Sequence, residues 1–252
     1  MVVSGVNAVR EALLTCPERI VEVVFAEGRP GGRRDDLAAL ASRCGVVVRW
    51  GARGLLDRIA GTASHQGVAA RLDGFPYVAL SDIVSKSSAA PPVGGRIVVV
   101  LDHIEDPQNL GAIIRSAAFF GCSGVVIPKA RAARVTSSVV KASAGCVFRV
   151  PVAMVPNIAS SLDAMKRGGF WVMGAVAKGG VAPWEAPGAG EDLALVIGNE
   201  NKGISKLVGK KCDMLVSIPS ATDDVDSLNA SAAAAVLIYE LRHRKPGSRK
   251  LP

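Results

Sequence analysis

The segments I-V-V-V-L at 97–101 and D-P-Q-N-L-G-A-I-I-R-S-A at 106–117 decide the fold of the larger part of this chain. The first is a continuous run of β-branched and aliphatic residues, and strands without polar alternation are buried on both faces. In the second, Asp106-Pro107 favours a turn, and the apolar residues that follow predict a helix from about Asn109 to Phe120. A buried strand that leads through a polar turn into a helix is the unit of a parallel sheet.

The same alternation continues to the end of the chain and predicts an α/β fold with a mostly parallel sheet covered by helices. The further strands are predicted at 124–127, 147–150, 170–175, 193–197 and 214–218, and the further helices near 137–144, 157–167 and 227–244. Shorter patterns before residue 80 predict a separate small α/β unit, with helices at 7–14 and 35–43 and strands at 20–25 and 46–49.

The domain boundary is predicted at 81–96, where the sequence reads S-D-I-V-S-K-S-S-A-A-P-P-V-G-G-R. Ser, Ala, Pro and Gly cannot bury enough apolar surface to pack, so this stretch is expected to be a linker. The chain is therefore divided into a first domain at 1–80 and a second domain at 97–252 that ends in a basic tail.

Composition excludes several classes of protein. With 49% hydrophobic and 21% charged residues, the 252-residue chain is neither disordered nor collagen-like. Five dispersed cysteines and three histidines give neither a disulfide framework nor a metal pattern, so no metal is expected. No membrane-spanning run or signal peptide is found, and a cytoplasmic protein is expected.

The net charge of +8 is concentrated at the end of the chain, where residues 242–252 hold five basic and no acidic groups. Such a tail suits contact with phosphates, although a solvated terminus has the same composition. The arginines of the first 80 residues are balanced by acids, so they suit an RNA-facing surface or an ordinary solvated one.

Three polar clusters, each after a predicted strand, are the candidates for chemistry. In the first, Asn109 can cap the coming helix, and Arg115 lies in an apolar stretch where it must be paired or line a wet cleft. The second is a loop with two glycines around Glu200, and in the third Ser227 can cap the last helix. Phosphate-loop, dinucleotide, nucleophile-elbow and zinc-protease motifs are absent from the sequence.

These clusters, in this order and spacing, resemble the three motifs of the SpoU or TrmH family of 2'-O-ribose RNA methyltransferases, which belong to the SPOUT class. The matching segments are D-P-Q-N-L-G-A-I-I-R-S-A at 106–117, L-V-I-G-N-E-N-K-G-I at 195–204 and I-P-S-A-T-D-D-V-D-S-L-N-A-S-A-A at 218–233. The first domain is similar to the L30e-like substrate-binding domain of one branch, through G-V-N-A-V-R-E-A-L at 5–13 and H-Q-G-V-A at 65–69. That branch contains an enzyme that modifies a guanosine ribose in 23S rRNA.

The resemblance implies a trefoil knot in the carboxyl-terminal part of the sheet, S-adenosylmethionine as cofactor and a homodimer, with 23S rRNA as the partner and no membrane. It implies cofactor contacts at Gly198, Asn199, Ile218, Ser227 and Leu228. It implies a catalytic group of Asn109, Arg115, Glu200, Ser227 and Asn229. RNA contacts are expected at Arg10, His65, Arg115, Arg242 and Arg244.

Arg115 matches the position for which a general base is discussed in this family. A guanidinium has a pKa of about 12.5 to 13.8, so its neutral form is very rare at pH 7. The hypothesis favoured here is that Arg115 holds a phosphate and stabilises the developing alkoxide. His65 and His103 are expected to make local hydrogen bonds rather than to transfer protons.

Other functions stay open at this point. The same fold acts on tRNA guanosine or on rRNA adenosine, and the H-Q-G segment favours the rRNA guanosine branch only in part. A non-catalytic RNA-binding or ribosome-assembly protein that has kept the fold is the alternative from a different class. Retention of the polar site residues argues against that alternative.

Overall fold

The structure is a computed structural model, and it describes residues 1–28, 32–85, 95–186, 190–222, 224 and 227–243. By their contacts these residues form two compact units. The first holds Met1–Pro76 together with Val135–Arg149, and the second holds Tyr77–Arg134 and the described residues from Val150 onward.

The elements follow one another in alternation along most of the chain. In chain order they are β1 (Val2–Ser4), α1 (Val6–Thr15), β2 (Ile20–Ala26), α2 (Arg33–Arg43), β3 (Val48–Gly51), α3 (Arg53–Ala60), β4 (Val68–Leu72), α4 (Leu80–Val84), β5 (Ile97–Asp102), α5 (Pro107–Phe119), β6 (Gly124–Pro128), α6 (Ser137–Ala142), β7 (Val152–Val155), α7 (Ile158–Arg167), β8 (Trp171–Ala175), β9 (Leu193–Gly198), α8 (Lys206–Gly209), β10 (Met214–Val216) and α9 (Ala230–His243). Short 3-10 turns occupy Pro17–Arg19 and Cys146–Phe148.

The first unit is built on a four-stranded sheet in the order β1-β4-β2-β3. β4 pairs antiparallel with both β1 and β2, whereas β2 and β3 are parallel. The predicted small α/β unit is confirmed. β1, α3 and β4 were not predicted. β1 has only three residues, too few for a period to show, whereas α3 carries Leu55, Leu56 and Ile59 at helical spacing, a signal that was overlooked.

The second unit is built on a six-stranded sheet in the order β10-β8-β9-β5-β6-β7, in which every pair is parallel. The predicted α/β fold with a mostly parallel sheet is confirmed. β5, β6 and β9 are buried at every position, as expected for strands covered on both faces. Because parallel strands end at the same edge, the loops after β5, β9 and β10 lie along one side of this sheet.

Three predicted boundaries are wrong for local reasons. The strand predicted at 147–150 is a 3-10 turn at Cys146–Phe148, which follows the left-handed Gly145, and β7 begins only after Pro151. β10 ends at Val216 rather than at residue 218. The last helix begins at Ala230, because Asn229 rather than Ser227 bonds to its first turn.

The predicted linker and domain range also need correction. α4 occupies Leu80–Val84, and Ile83, with 4% of its surface exposed, packs into the core of the second unit, so 81–84 is folded. Residues 86–94 lie outside the described residues. Val135–Arg149, assigned to the second domain from sequence, belongs with the first unit, where Arg149 forms a bidentate ion pair with Glu11 at 2.5 and 2.7 Å.

Arg96, which was assigned to the linker from the sequence, is a buried residue of the second unit that forms an ion pair and several hydrogen bonds. Its guanidinium forms two hydrogen bonds to Asp192 Oδ2, at 2.8 and 3.1 Å, and donates to the carbonyls of Ile83, Val84 and Ser85 at the end of α4. It also lies 4.6 Å from the ring centre of Phe170. One side chain therefore connects α4, the start of β5 and the start of β9.

Other features of the described residues bear on the expected class of protein. No helix there combines enough length and hydropathy to cross a bilayer. In the same part of the chain, no group of three or more His, Cys, Asp and Glu side chains is placed to hold a metal ion. All five cysteines are free, and burial raises the pKa of Cys16 to about 11.

Replacing Arg96 with Met should destabilise the second unit by about 3–5 kcal/mol, because Asp192 would keep a charge largely withdrawn from water and the α4 carbonyls would lose their donor. Denaturant unfolding followed by Trp171 and Trp184, in a Trp50→Phe background, measures this in the second unit. Lys211→Gln is the matched control in the same unit: its pair with Asp163 is more than a third exposed on both sides, so the loss should stay below about 1 kcal/mol. Equal losses in the two variants would contradict this account of Arg96.

Candidate functional site

The loop after β9 is closed upon itself by backbone contacts. Asn199 N donates to Gly203 O at 3.1 Å, and Gly203 N donates to Asn199 O at 2.8 Å. A Cβ on Gly198 would lie 2.1 Å from the Gly203 carbonyl carbon, so no other residue fits without moving the backbone. Asn199 Oδ1 also accepts from the backbone N–H groups of Asn201 and Lys202. The loop is thus a compact turn that presents Glu200 at the edge of the sheet.

Glu200 is bonded to a residue of the first polar cluster. Asn109 Nδ2 donates to Glu200 Oε1 at 2.6 Å across 91 positions of the chain. The sequence suggested Asn109 as the N-cap of α5, but the N-cap is Asp106, which accepts from Gln108 N at 2.9 Å. The amide of Asn109 is therefore left for the contact with Glu200.

Asn229 joins the third cluster to the same group of side chains. Its Oδ1 accepts from Ser231 N at 2.9 Å and from Ser231 Oγ at 2.6 Å, at the start of α9. Its Nδ2 donates to Asn109 Oδ1 at 3.1 Å. Because the side-chain oxygen of Asn229 accepts from the helix, its NH₂ group must be the one that faces Asn109. Asn109 therefore turns its oxygen to Asn229 and its NH₂ group to Glu200, and the hydrogen bonds run from Asn229 through Asn109 to Glu200.

Arg115 lies on the exposed side of α5, and no described residue forms an ion pair or hydrogen bond with it. Of the two alternatives left open by the sequence, a paired side chain or one that lines a wet cleft, the described residues do not show the first. Leu110, Ile113, Ile114 and Ala117 are buried on the other side of the helix, so the guanidinium reaches solvent without crossing the core. It remains accessible to an anion.

The predicted cofactor residues of the third cluster are accessible. Ile218 is half-buried directly after β10, Leu228 is 49% exposed, and Ser227 is exposed with no partner in the described part of the chain. Just before Ile218, Ser217 N donates to Val181 O at 3.0 Å, and a Cβ on Gly180 would lie 2.5 Å from the carbonyl carbon of Val216. Two backbone segments are therefore packed directly against each other at the end of β10.

His65 is fully buried, so the expected RNA contact there is wrong. Its Nδ1 accepts from Gly67 N at 2.9 Å, which leaves Nε2 to donate to Asp57 Oδ1 at 3.0 Å. The expectation of a local hydrogen bond at His65 is confirmed. The ring holds the turn before β4 and cannot reach a ligand.

Arg242 has a structural role in place of the expected RNA contact. Its guanidinium donates to the carbonyls of Gly95, Phe120 and Gly121 at 2.8, 3.1 and 2.9 Å, which satisfies acceptors at the end of α5. Burial raises the pKa of the neighbouring Cys122 to about 12, although Arg242 acts in the opposite direction. Arg244 and the rest of the basic tail lie outside the described residues.

Arg10 lies in a groove of the first unit with a volume of about 580 Å³. The groove has apolar and basic residues in its lining, which is formed by Val6, Asn7, Arg10, Leu14, Arg33, Asp36, Leu37, Leu40 and Arg43. Arg10, Arg33 and Arg43 are exposed, and none forms an ion pair within the described residues. The sequence named only Arg10 as an expected RNA contact in this groove, and it left Arg33 and Arg43, with the other arginines of the first 80 residues, open between an RNA-facing and a solvated surface.

Sequence reasoning missed Asp102 at the end of β5. Only 1% of its surface is exposed, and its two oxygens accept from Ser205 N at 2.7 Å and pair with His103 Nδ1 at 2.6 Å. The expected local hydrogen bond of His103 is confirmed. A carboxylate directly after a buried strand was the available signal.

Two family profiles cover most of the chain. The SpoU rRNA Methylase family matches residues 96–239, and a family described as RNA 2'-O ribose methyltransferase substrate binding matches residues 2–78. Among curated relatives, the Bacillus subtilis protein YacO, assigned to the TrmH family of tRNA/rRNA methyltransferases, is 39% identical over 245 residues. That alignment covers 97% of this chain and 96% of YacO.

Solved structures show the same similarity. An rRNA methyltransferase from Sinorhizobium meliloti has a TM-score of 0.79 at 26% identity, over 96% of this chain and 86% of that one. The SpoU methyltransferase AviRb from Streptomyces viridochromogenes, in complex with AdoMet, has a TM-score of 0.79 at 26% identity, over 96% of this chain and 89% of that one. The match over residues 96–239 and the 39% identity to YacO show that this chain belongs to the SpoU rRNA methylase family, among the TrmH-type RNA methyltransferases.

Proposed function

We propose that the protein transfers a methyl group from S-adenosylmethionine to the ribose 2'-hydroxyl of a guanosine in 23S rRNA, in the cytoplasm. The observation that carries this proposal is the directed chain of hydrogen bonds from Asn229 through Asn109 to Glu200. It joins residues from all three motif segments at the carboxyl edge of a parallel sheet, where open α/β folds bind ligands. The family supports RNA methylation, and the free cysteines support a reducing compartment.

The residues at this edge fit the cofactor. Ile218 and the half-exposed Leu228 offer aliphatic surface for a purine ring. The loop at Gly198 and Asn199 offers its backbone to the cofactor, because Gly198 has no side chain and packs directly against Gly203. When bound, S-adenosylmethionine supplies an electrophilic methyl group. The AdoMet-bound relatives support this assignment.

The side chains of the site then have separate tasks. A ribose hydroxyl is a very weak acid, so the protein must align it and stabilise the charge that develops as its proton leaves, to a neighbouring group or to a phosphate oxygen of the RNA itself. Arg115, exposed and without an ion-pair partner in the described chain, binds a phosphate of the RNA and stabilises that charge. Asn109, held by Glu200 and Asn229, orients the ribose, and Ser227 closes the pocket beside it.

A tRNA guanosine or an rRNA adenosine would use the same site, so the target is the part of this proposal that most needs a test. Mapping ribose methylation over all rRNA and tRNA, in cells with and without the protein, identifies the nucleotide. Loss of a single 23S rRNA guanosine methylation is the expected result. A non-catalytic RNA-binding protein would leave every methylation in place, and that outcome would refute the proposal.

Asn109→Ala should lower the rate of methyl transfer by about 10²-fold, because it removes the central link between Glu200 and Asn229 at the reacting group. Single-turnover transfer from labelled S-adenosylmethionine to RNA measures this rate. Gln108→Ala, at the exposed neighbouring position of the same helix, is the control and should keep the wild-type rate. Unchanged transfer in Asn109→Ala would remove the basis of the mechanism.

Arg115→Lys should lose most of the methyl-transfer rate that depends on Arg115, because a lysine keeps the charge but not the planar pair of donors that holds a phosphate. The rates of both proteins are compared over a pH range, with Arg115→Ala as the reference for complete loss. A lysine variant as fast as wild type would show that no task of Arg115 needs the guanidinium plane.

The groove of the first unit is proposed to hold the RNA through Arg10, with Arg33 and Arg43. Three exposed guanidiniums without ion-pair partners among the described residues suit phosphates, and the aliphatic side chains between them suit the face of a base. The family of substrate-binding domains that matches residues 2–78 supports this assignment.

Arg10→Gln should weaken RNA binding and reduce the slope of log K against log salt concentration by about 1, because one phosphate contact is lost. Filter binding to a 23S rRNA transcript at several salt concentrations gives this slope. Arg71→Gln makes the same change in net charge, but Arg71 is already paired with Glu22 at 2.9 Å, so its slope should change less. Identical slopes for the two variants would assign the effect to net charge rather than to the groove.

We further propose that the protein is a homodimer whose carboxyl-terminal segment forms a trefoil knot. An apolar surface on α5 and α9 supports the dimer: Phe119 is 83% exposed, Tyr239 52% and Val236 43%. Such a surface marks an interaction site in a soluble protein. The close backbone approach of Gly180 to Val216 supports the knot, because a segment threaded through a loop lies against the backbone of that loop.

A further inference from the structure

Asp102 is a buried carboxylate that the mechanism above does not use. It is the last residue of β5, 1% exposed, and both of its oxygens are engaged. Oδ2 accepts from Ser205 N at 2.7 Å, and Oδ1 lies 2.6 Å from His103 Nδ1. A buried carboxylate needs such partners, so these two contacts determine where the carboxylate sits.

His103 completes the attachment from the other side. Asn199 Nδ2 donates to the carbonyl oxygen of His103 at 2.9 Å. His103 has a φ of 65°, in the left-handed region that residues with side chains seldom adopt. In this conformation its carbonyl meets Asn199 while its ring turns back to Asp102.

Both ends of the loop after β9 are therefore bonded to two consecutive residues at the end of β5. Asn199 begins the loop and Ser205 follows it, and Glu200 lies between these two attachments. Glu200 in turn accepts from Asn109 at 2.6 Å. A displacement of the loop would displace Glu200 and, through it, Asn109.

We propose that Asp102, supported by His103, is a positioning residue that holds the loop Asn199–Ser205 in the geometry required for methyl transfer. It acts through the backbone N–H of Ser205 and needs an acceptor oxygen there rather than a negative charge. The inference rests on the proposed function only where it is tested by S-adenosylmethionine affinity and methyl transfer. The attachment of the loop can be tested in the protein alone.

Three variants separate the acceptor oxygen from the charge and from the imidazole. Asp102→Asn keeps an oxygen for Ser205 N–H, and its NH₂ group can donate to His103 Nδ1 once the ring proton moves to Nε2. Asp102→Ala removes the acceptor. His103→Gly suits a φ of 65° and keeps the carbonyl to which Asn199 donates.

The first measurement uses the protein without cofactor or RNA. Amide hydrogen exchange at Ser205 should be protected in wild type and in Asp102→Asn, and unprotected in Asp102→Ala. The ¹⁵N shifts of the His103 ring should report a proton on Nε2 in Asp102→Asn. If Asp102 only stabilised the core, Ser205 amide exchange would not separate Asp102→Asn from Asp102→Ala, and the His103 ring shifts would not change in Asp102→Asn.

The second measurement separates cofactor affinity from turnover, by calorimetry with S-adenosylmethionine and by single-turnover methyl transfer. Asp102→Ala should lose about 10- to 100-fold in the product of affinity and rate, the size of effect seen when a supporting partner of a site residue is removed. Asp102→Asn should stay within about 3-fold of wild type, since it keeps the oxygen that holds the loop. His103→Gly keeps the carbonyl that binds Asn199 but removes the ring partner of Asp102 Oδ1, so its loss should lie between those of Asp102→Asn and Asp102→Ala.

Asp213→Ala is the matched control in the same unit. Asp213 Oδ2 also accepts from a backbone N–H, that of Val172 at 2.9 Å, and its Oδ1 also has a side-chain partner, Lys166 Nζ at 2.6 Å. It lies at the opposite end of β10 from Ile218, so cofactor affinity should not change.

Two results would overturn the proposal: wild-type affinity and rate in Asp102→Ala, or equal damage in Asp102→Asn and Asp102→Ala. The second result would mean that the charge, not the acceptor, is needed. If wild type itself neither binds S-adenosylmethionine nor methylates RNA, the proposed function fails instead. The Ser205 exchange pattern still decides whether Asp102 holds the loop.

Discussion

The parallel pairing of β5 with β9 is the interaction on which the site depends. The register runs from Ile97 opposite Leu193 to Asp102 opposite Gly198, so both strands end at the same level. Two polar segments about 90 positions apart in sequence are thereby placed side by side. A shift of one residue would turn every side chain of β9 to the other face and would separate Glu200 from Asn109.

The sequence predicted the second unit well where strands are long and wholly apolar. β5, α5 and β9 were found to within two residues, because a buried strand followed by a capped helix leaves a strong local pattern. The segment 147–150 misled, since Val147, Phe148 and Val150 are buried in an irregular turn, and apolar composition cannot distinguish that turn from a strand. Arg96 looked like linker because its partner, Asp192, is 96 positions away.

The site was predicted as a set of residues, but its internal order was not. The resemblance named Asn109, Glu200 and Asn229, whereas their connection in one directed chain depends on which amide groups the helix termini already use. His65 was expected to contact RNA because its segment, H-Q-G-V-A at 65–69, resembles the substrate-binding domain. Its burial follows from contacts with Asp57 and Gly67 that only the fold supplies.

α5 and α9 run side by side in the same direction and are bonded to each other at both ends. Asn229 meets Asn109 near their first turns, and Arg242 holds the carbonyls of Phe120 and Gly121 beyond their last. Hydrogen bonds at both ends oppose sliding and rotation of one helix against the other. A molecule that binds the outer face of α9 and displaces this helix would therefore also displace the amide of Asn109.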